Sequence, residues 1–426
     1  MLQISKIRSD KDKIAQALQK RGWDNERLTT LDDVISLDDD RKKVKSQNDD
    51  LLAQRNQLSK EIGQLFKSGK NEEANQAKSK VEALKGSIAD NETKMVSIKY
   101  KIEEILLSIP NAPNALVPNG LSEEDNEITK NWSSPLPELP ESAIPHWELG
   151  KKYDILDFEL GVKLTGAGFP VFRKKGSRLQ RALINFFLEE ANEQGYEEIV
   201  PPLLVNEDSA KATGQLPDKE GQMYHVTKDG LYLIPTAEVP VTNLYRNEIV
   251  KEDELPIKLT GYTPCFRREA GSYGSDVKGL NRVHQFDKIE IVQITHPDKS
   301  YETLDQMVAY VETLLTKLEL PYRILRLCGG DLTYASALTY DFEVYSAAQK
   351  KWLEVSSVSN FETFQSNRLK LRYKDADGKN QLAHTLNGSA LALARIIAAL
   401  LENNQTDEGI IIPEALRKYT GFDILN

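Results

Sequence analysis

Two short stretches of the sequence combine arginines, an aromatic ring and carboxylates. The first is Phe266-Arg267-Arg268-Glu269, and the second runs from Arg282 through Phe286 to Glu290. Guanidinium groups, an aromatic face and carboxylates on one surface would suit an anionic ligand that carries a base, such as ATP. An exposed hairpin held together by salt bridges explains the same spacing equally well, so the residues alone leave both interpretations open.

The two stretches fit two antiparallel β-strands joined by a mobile loop of 12 residues. The loop contains three glycines, Gly271, Gly274 and Gly279. Because alternate residues of a strand point to the same face, Arg282, Phe286 and Glu290 are expected on one side of the hairpin.

Other familiar sequence signatures of nucleotide and metal sites are absent from the chain. The chain has no GxxxxGKS or GxxxxGKT phosphate-binding loop, and Gly166-Ala167-Gly168 lacks the third glycine of a dinucleotide fingerprint, so it predicts a turn. The five histidines are scattered without metal-ligand spacing. Cys265 and Cys328 belong to no CxxC or Cys/His cluster and are expected to be inert buried thiols.

Length and charge narrow the class of protein. With 426 residues the chain exceeds the usual size of a single core, so two domains are expected. The net charge of −10 excludes a protein that coats nucleic acid with a generally basic surface, but it allows a local basic patch. No stretch approaches about 18 consecutive apolar residues, and Lys6, Arg8 and Asp10 stand where a signal peptide needs an apolar run. These features predict a cytoplasmic protein without a membrane span.

The N-terminal part predicts a long helical hairpin with two coiled-coil seams. The first seam contains Val44, Leu51, Leu58, Ile62, Leu65 and Phe66, and the second contains Ala77, Val81, Leu84, Ile88, Met95, Ile98, Ile102, Ile105 and Ile109. Asn91, a polar residue, occupies one position of the second seam where an apolar residue is expected. The turn residues 68–71 between them are so few that the seams must pack antiparallel, as an arm about 45 Å long.

The arm is locally basic. From Arg41 through Glu104 it carries 14 Lys or Arg and 10 Asp or Glu on an otherwise acidic protein. Such a surface could hold a phosphate backbone. A solvated coiled-coil face has the same composition, so the charge alone does not establish a function.

Beyond the arm the pattern changes. Seven prolines between Pro110 and Pro145 end the helix and predict a linker over 110–145. The segments that follow are an amphipathic helix at 178–194 and β-rich runs at 231–234, 290–294 and 341–345. Without a regular strand–helix repeat, a mixed or antiparallel sheet flanked by helices is favoured over a doubly wound parallel one.

Three ordered segments resemble the signature motifs of class II aminoacyl-tRNA synthetases. Residues 195–204 (GYEEIVPPLL) resemble motif 1, residues 266–290 motif 2, and residues 387–395 (NGSALALAR) motif 3. The features that point to the seryl subgroup are Thr236-Ala237-Glu238, EAGSYGSDVKGLNRVHQF inside motif 2, Glu354-Val355-Ser356-Ser357 followed by SNFETFQ, and the N-terminal hairpin. The resemblance to bacterial-type seryl-tRNA synthetases covers essentially the whole chain.

Three residues depart from the pattern of that family. Ala390 and Ala394 stand where motif 3 usually carries glycines, which narrows the backbone space near ATP. Leu338 stands where a lysine is expected, which removes a cation from the neighbourhood of the site.

The resemblance implies an α+β fold, in which an N-terminal antiparallel coiled-coil hairpin precedes an antiparallel β-sheet domain flanked by helices. It implies a tRNA-binding domain over 1–109, with the arm over 40–107, and a catalytic domain over 146–426. The implied activity is ATP-dependent activation of L-serine to seryl-adenylate, followed by transfer of serine to tRNA(Ser) and also to tRNA(Sec). The alternatives are an RNA-binding scaffold with an inactive synthetase-like domain and a class II synthetase for another small amino acid.

The family's functional residues carry over by position in the motifs. Those implied for ATP are Arg267, Arg268, Glu269, Arg282, Val283, Phe286, Glu354, Val355, Ser356, Ser357 and Arg395, with Arg267 and Arg395 catalytic. Those implied for serine are Thr236, Ala237, Glu238, Arg267, Glu290, Asn387 and Ser389. Glu354 and Ser357 would hold Mg²⁺ together with ATP, because Mg²⁺ prefers hard oxygen ligands.

The implied partners are nucleic acid and a second copy of the chain. The arm would grip the backbone of the large extra arm of the tRNA by shape and phosphate contacts rather than by base reading. Motif 1 would form the interface of a homodimer in which one subunit's arm serves the other's active site.

Overall fold

The structure, a computed structural model, describes residues 1–218, 220–269 and 278–426. Its contacts divide these residues into two compact units. The first unit comprises 2–19 and 23–110, and the second comprises Met1, 20–22 and 111–426. Within the described ranges, no helix combines the length and the apolar character needed to cross a membrane.

The first unit is helical. Its helices are α1 (Ile4–Ser9), α2 (Lys11–Gln19), α3 (Asn25–Leu28), α4 (Thr30–Lys67) and α5 (Asn71–Leu106). Helices α4 and α5 pack against each other as an antiparallel hairpin, as the two seams predict. The turn between them contains Gly69 at φ +73°, a conformation that favours glycine.

The seam of the hairpin is interrupted by buried amides. Asn48 occupies the step between Val44 and Leu51 and is 5% exposed, and Asn91 of the facing helix is also buried. Among the described residues, the Asn48 side-chain oxygen has no hydrogen-bond partner. A buried polar residue in a coiled-coil seam lowers stability but fixes the register of the two helices.

Asn48→Leu is therefore expected to stabilise the arm, by roughly 1 kcal/mol, because it replaces an unsatisfied buried amide by an apolar side chain. Thermal unfolding of the full chain, followed by the helical circular dichroism signal, measures the change. Asn75→Leu is the control, since Asn75 lies on the exposed face of α5. Equal effects of the two substitutions would contradict a specific cost at Asn48.

The second unit contains the remaining helices. They are α6 (His146–Lys152), α7 (Phe158–Leu164), α8 (Lys174–Glu193), α9 (Glu207–Thr213), α10 (Glu238–Asn243), α11 (Ser300–Lys317), α12 (Phe364–Leu369), α13 (Leu393–Asn403) and α14 (Glu414–Thr420). The helix predicted at 178–194 is thus α8, which begins four residues earlier. Its buried residues recur at helical spacing, as in Leu179, Leu183 and Phe187.

Strands of the second unit form one large sheet and several small ones. They are β1 (Glu127–Lys130), β2 (Leu156–Asp157), β3 (Val171–Phe172), β4 (Glu197–Glu198), β5 (Leu204–Asn206), β6 (His225–Val226), β7 (Leu231–Leu233), β8 (Ile249–Lys251), β9 (Ile257–Phe266), β10 (Gln285–Thr295), β11 (Tyr322–Arg326), β12 (Leu338–Ser346), β13 (Lys351–Asn360), β14 (Arg372–Lys374), β15 (Asn380–Leu382), β16 (His384–Ala392), β17 (Ile410–Ile411) and β18 (Ile424–Leu425).

The large sheet has eight strands in the order β1-β11-β12-β13-β16-β10-β9-β4. All its neighbouring pairs are antiparallel except β4 with β9. Helices α8, α11 and α13 cover one face, and the main hydrophobic core lies between them and the sheet. The α+β fold with an antiparallel sheet flanked by helices is confirmed.

One strand lies where the sequence indicated a linker. Glu127–Lys130 pairs antiparallel with β11 and forms an edge of the large sheet. The strand is only four residues long. An edge strand with every residue exposed gives no alternating apolar pattern, which explains why the sequence did not predict it.

Candidate active site

The motif 2 segment forms a hairpin in the middle of the large sheet. Strand β10 pairs with β9 on one side, where Glu290 lies opposite Gly261. It pairs with β16 on the other side, where Glu290 lies opposite Ser389. Glu290 is therefore enclosed by two neighbouring strands and is 2% exposed.

The strands of this hairpin are shorter at the turn end than the sequence predicted. Strand β9 ends at Phe266 and β10 begins at Gln285, so Arg282 lies outside the alternation that was expected to align it with Phe286 and Glu290. One more bond continues the ladder, from the Arg267 N–H to the His284 carbonyl at 3.0 Å. The His284 N–H instead donates to Gly168 at 2.8 Å, which ends the pairing.

The predicted loop lies partly outside the described residues. These exclude 270–277, and with them Gly271, Gly274 and eight of the 18 residues of the EAGSYGSDVKGLNRVHQF segment. Glu269, the last described residue before this gap, has φ +48°. A left-handed glutamate stores backbone strain, which is typical of functional sites.

The arginines and Phe286 of motif 2 lie close together. The Arg267 guanidinium carbon is 5.3 Å from the centre of the Phe286 ring, and its Nε donates to the Pro235 carbonyl at 3.3 Å. Arg282 donates to Glu269 at 3.0 Å. A salt bridge between the ends of the hairpin, as the alternative interpretation expects, is thus present, but Arg267 also lies over an aromatic ring, where a cation is attracted.

Arg395 joins this group from motif 3. It lies in the first turn of α13, directly after β16. Its Nε donates to the Asn281 carbonyl at 2.9 Å, and its Nη1 donates to the Glu354 carbonyl at 2.6 Å. One guanidinium thus connects the segment before β10 with strand β13.

Strand β13 adds oxygen ligands beside Arg395. The Ser357 hydroxyl donates to the Glu354 carboxylate at 3.5 Å. Asp341 lies opposite Ser357 on β12, and its Oδ1 is buried with no partner among the described residues. Burial, together with nearby Glu354, raises the pKa of Asp341 well above its usual value. Two carboxylates and a hydroxyl on adjacent strands fit a divalent cation, which would compensate their charge.

Some residues implied for ATP do not offer their side chains to this surface. Val283 and Val355 belong to the main hydrophobic core. The Ser356 hydroxyl donates to the Ser389 carbonyl at 2.6 Å. Any contact that these three residues make with a nucleotide would therefore come from backbone atoms. Arg268 is exposed and lies 6.0 Å from the ring of Tyr224.

A second cluster of polar groups is buried beside the first. The Thr236 hydroxyl donates to the Glu290 carboxylate at 2.9 Å and accepts from the Lys288 ammonium at 3.0 Å. Lys288 also forms an ion pair with Glu290. Gln365 donates to the Glu238 carboxylate at 2.6 Å. These groups form a polar pocket, which we define as Thr236, Glu238, Lys288, Glu290 and Gln365.

Three further residues predicted for serine lie around the polar pocket. Asn387 and Ser389 are on β16, opposite Val292 and Glu290 of β10, and each is 8% exposed. Ala237 is fully buried and packs in a small cluster with Val241 and Leu259. Its backbone position between Thr236 and Glu238 is what places those two side chains.

The charge of the polar pocket is unbalanced. It contains two carboxylates, Glu238 and Glu290, and one ammonium group, Lys288. Burial, together with the charge of Glu290, raises the pKa of Glu238 to about 7 against the opposing effects of Gln365 and Lys288. The pocket would therefore accept a cation.

Comparison with known proteins gives the same assignment along the whole chain. Residues 1–113 match the family model of the seryl-tRNA synthetase N-terminal domain, and residues 224–404 match the class II core domain of the G, H, P, S and T synthetases. A serine–tRNA ligase from Salinibacter ruber is 47% identical over 99% of this chain and 98% of its own length. One from Chlorobaculum parvum is 45% identical over the full length of both proteins.

The chain belongs to the seryl-tRNA synthetase family. Its structure superposes on that of the seryl-tRNA synthetase from Pyrococcus horikoshii complexed with ATP with a TM-score of 0.92, at 34% identity and over 100% and 99% of the two chains. A serine–tRNA ligase from Naegleria fowleri in complex with AMP gives a TM-score of 0.88 at 27% identity. The family predicted from the three motifs is thus confirmed.

This seryl-tRNA synthetase family member has site residues that sequence reasoning missed. Lys288, Gln365 and Asp341 contact or adjoin the predicted residues, but none of them was expected there. Lys288 could have been found, because a lysine two residues before Glu290 on a strand shares its face. Asp341 and Gln365 reach the site through β12 and α12, and no local spacing connects them with it.

The three departures from the family pattern fall in the core of this synthetase. Leu338 is 1% exposed and belongs to the main hydrophobic core, together with Ala390 and Ala394. Leu338, the first residue of β12, therefore contributes its side chain to the core, where a leucine gains stability from burial.

Glu238→Gln is expected to raise the free energy of unfolding at pH 8 and to leave it nearly unchanged at pH 5. The ordinary pKa of the carboxyl is 4.5, and in the folded protein it is about 7. The stability that protonated Glu238 contributes is complete below the lower value and is lost as pH rises through the higher one. The gain at pH 8 is at most about 3 kcal/mol.

Urea unfolding at both pH values measures this effect. The control is Glu248→Gln at an exposed position, which should change the stability equally at pH 5 and pH 8. A Glu238→Gln variant that is no more stable than the parent at pH 8 would show that Glu238 is compensated in some other way.

Proposed function

We propose that this protein activates L-serine with ATP to form seryl-adenylate and then transfers the serine to tRNA(Ser). The observation that carries the proposal is the sharing of strand β10 by two kinds of group. Phe286 lies with the arginines that suit a nucleotide, and Glu290 lies in the polar pocket that accepts a cation. ATP bound near Phe286 and serine bound near Glu290 would therefore lie next to each other along β10.

The first step is a displacement at phosphorus. The serine carboxylate attacks the α-phosphorus of ATP, the bond to the β-phosphate oxygen breaks, and pyrophosphate leaves with the electron pair. A carboxylate is already ionised at pH 7, so the step needs no general base. Catalysis then consists of alignment and of charge neutralisation at the reacting oxygens. Arg267 performs both, because its planar guanidinium can hold the carboxylate and the α-phosphate together.

The remaining nucleotide contacts that we propose are those implied by the family's motifs. Phe286 and Arg395 enclose the adenine ring, and Glu269 accepts a hydrogen bond from the adenine amine. Arg282 holds the outer phosphates, which requires it to exchange part of its bond to Glu269 for the ligand. Arg268, on the exposed rim, adds positive charge near the phosphates. Val283, Val355 and Ser356 contribute backbone atoms.

Mg²⁺ would be held by Glu354 and Ser357 together with oxygens of ATP. The metal, when bound, would neutralise charge on the pyrophosphate group. The chain's own part is to present the two ligands from one strand and to keep the Asp341 carboxyl opposite Ser357 on β12 as a further oxygen donor. Arg395 is placed by its bond to the Glu354 carbonyl, so the cation ligand and the adenine contact are fixed relative to each other.

The polar pocket binds the amino acid. Thr236, Ala237 and Glu238 hold the serine ammonium group, which supplies the missing positive charge. Glu290, Asn387 and Ser389 face the serine hydroxyl. Alanine would leave these buried groups unpaired, which can give discrimination of about 10⁴–10⁵. Threonine adds a methyl group that the enclosed pocket excludes sterically.

In the second step a hydroxyl of the terminal adenosine of the tRNA attacks the carbonyl of seryl-adenylate, and AMP leaves. We propose residues 1–109 as the tRNA-binding domain, with its arm at 40–107, and residues 146–426 as the catalytic domain. Residues 110–145 connect the two and also supply the edge strand β1 of the large sheet. The extra arm of tRNA(Ser), and of tRNA(Sec), is the element that the arm would grip. The protein would act in the cytoplasm as a homodimer in which the arm of one subunit serves the active site of the other.

The most direct test of the activity is ATP–pyrophosphate exchange run separately with each of the twenty amino acids. Serine-dependent exchange is expected, with no comparable rate for alanine, threonine or proline. Exchange with another amino acid would assign the pocket to that substrate, and no exchange with any would favour an inactive scaffold.

Arg267→Ala is expected to lower the rate of serine-dependent exchange at least a hundredfold. The substitution removes two hydrogen bonds to charged groups, each contributing about 1.5–3 kcal/mol. Thermal unfolding should change little, because Arg267 is only half-buried. The matched control is Arg181→Ala on the exposed side of α8, which should exchange like the parent. A rate within threefold of the parent would exclude Arg267 from the reaction.

Replacement of residues 44–102 by a short Gly/Ser linker is expected to leave exchange close to normal and to abolish tRNA charging. Adenylate formation uses only small molecules bound by residues from Thr236 onwards. Charging depends on a phosphate-binding surface, so charging by the intact protein should weaken steeply with salt. Both activities are measured at matched ionic strength. Unchanged charging by the truncated chain would show that the arm does not bind tRNA.

A further inference from the structure

His146 and Glu402 form a fully buried pair that the proposed mechanism does not use. His146 begins helix α6, Glu402 lies near the end of α13, and both side chains are 0% exposed. The His146 Nδ1 is 2.7 Å from a Glu402 carboxylate oxygen. The same oxygen accepts the His146 backbone N–H at 3.0 Å. Burying titratable groups costs stability, so a buried pair that contacts no proposed substrate is expected to have another role.

The pair has a defined protonation state. The His146 Nε2 accepts the backbone N–H of Leu280 at 2.8 Å, so this nitrogen carries no proton. The proton of the neutral ring therefore lies on Nδ1 and is donated to Glu402. Burial opposes ionisation of Glu402, but hydrogen bonds from His146 and Ser346 outweigh it and lower the pKa of Glu402 below its usual value. The imidazole is thus a fixed bridge between a carboxylate and a backbone amide.

The bridge ends beside the nucleotide residues. Leu280 is followed by Asn281, whose carbonyl accepts the Nε of Arg395, and then by Arg282. The Asn281 side chain donates to Gln349 at 2.8 Å, and Gln349 donates to Glu402 at 3.0 Å. Two separate routes therefore connect Glu402 with the backbone that presents Arg282 and orients Arg395.

The residues on this backbone need such an anchor, because strand pairing does not reach them. Strand β10 begins at Gln285, three residues after Arg282. Gly279 packs directly on the imidazole, since a Cβ added there would lie 2.2 Å from the His146 Nε2. The position of residues 279–282 is thus set by side-chain contacts rather than by the ladder of the sheet.

We propose that His146, held by Glu402, is a positioning residue for the nucleotide site. Its Nε2 fixes the Leu280 backbone, and through Asn281 and Arg282 it fixes the two arginines that would contact adenine and the outer phosphates. This inference rests on the proposed function, since it takes Arg282 and Arg395 as ligands of ATP. It assigns no contact between His146 and a substrate.

Two substitutions of His146 separate positioning from packing. In His146→Gln, the side-chain oxygen lies near the former Nε2 and can still accept the Leu280 N–H. In His146→Asn, the shorter amide can still donate to Glu402 but leaves the Leu280 N–H unpaired. The two variants differ in the partner that each keeps, Leu280 in His146→Gln and Glu402 in His146→Asn, and by one buried methylene group.

The measurement is ATP–pyrophosphate exchange with separate KM values for ATP and serine, together with thermal unfolding. His146→Asn is expected to raise the KM for ATP roughly tenfold, since an unpaired buried amide shifts the backbone that carries Arg282. The KM for serine should stay within about twofold, because the polar pocket is held by the sheet. His146→Gln should restore the KM for ATP. His296→Asn, at a partly exposed histidine bonded to Tyr373, is the control and should behave like the parent.

A second pair of variants keeps the test decisive if His146→Asn does not fold. Gly279→Ala leaves both His146 nitrogens in place but forces the ring and the backbone apart, and it should raise the KM for ATP selectively. Gly230→Ala is matched to it, because Gly230 has φ +66° and Gly279 has φ +67°, while the added methyl at Gly230 meets no described atom within 4 Å. Gly230→Ala should carry the same backbone strain without the kinetic change.

Each outcome has one meaning. Equal rises in the KM for ATP and for serine, or equal defects in His146→Asn and His146→Gln, would show that His146 is only a core residue and would overturn the proposal. A parent protein without serine-dependent exchange would instead refute the proposed function. A parent that exchanges, with variants that keep its KM for ATP, would refute the positioning role alone.

Discussion

Two buried carboxylates share a single buried ammonium group in the centre of the large sheet. Lys288 neutralises Glu290 directly, and Thr236 bridges them, which leaves Glu238 to be held by the amide of Gln365. In a medium of low dielectric constant an uncompensated carboxylate prefers to take up a proton. A ligand with its own ammonium group would remove that penalty, which is why we propose this pocket as the site of the amino acid.

The two halves of the site are held in different ways. In the polar pocket, Lys288 and Glu290 are held by strand β10, which pairs with β9 on one side and β16 on the other. Arg267, Arg282 and Arg395 extend from strand ends and from the first turn of a helix, and individual hydrogen bonds place them. In the proposed function, strand pairing thus holds the residues that would select the amino acid, whereas individual hydrogen bonds hold those that would bind the nucleotide.

The sequence predicted the parts of this molecule that follow from local patterns. The seams of the arm, the helix at 178–194 and the strands around 290 and 341 all have a clear period, and the structure has elements at each of them. The motifs also assigned Arg267, Phe286, Glu354 and Arg395 to one site. In the structure Arg267 stacks on Phe286, and Arg395 bonds to the backbone of Glu354. Their assigned roles remain predictions.

What the sequence could not show depends on tertiary contacts. Gln365 and Asp341 reach the site from two different elements, and the partner of His146 is 256 residues away along the chain. The edge strand at 127–130 is exposed at every position and so has no burial pattern to detect. Arg282 was placed on a strand face, but pairing stops before it because His284 bonds to Gly168 instead.

Helix α13 sets the distance and the angle between Arg395 and Glu402. Arg395 and Glu402 are seven residues apart in it, which is nearly two full turns, so both project from the same side about 10 Å from each other. Arg395 donates a hydrogen bond to the Asn281 carbonyl, and Glu402 contacts the same backbone segment through His146. The insertion or deletion of one residue between them would turn one end by about 100° relative to the other. The rotation of α13 about its axis therefore limits which insertions and deletions this enzyme could tolerate, although most of the helix surface packs in the apolar core.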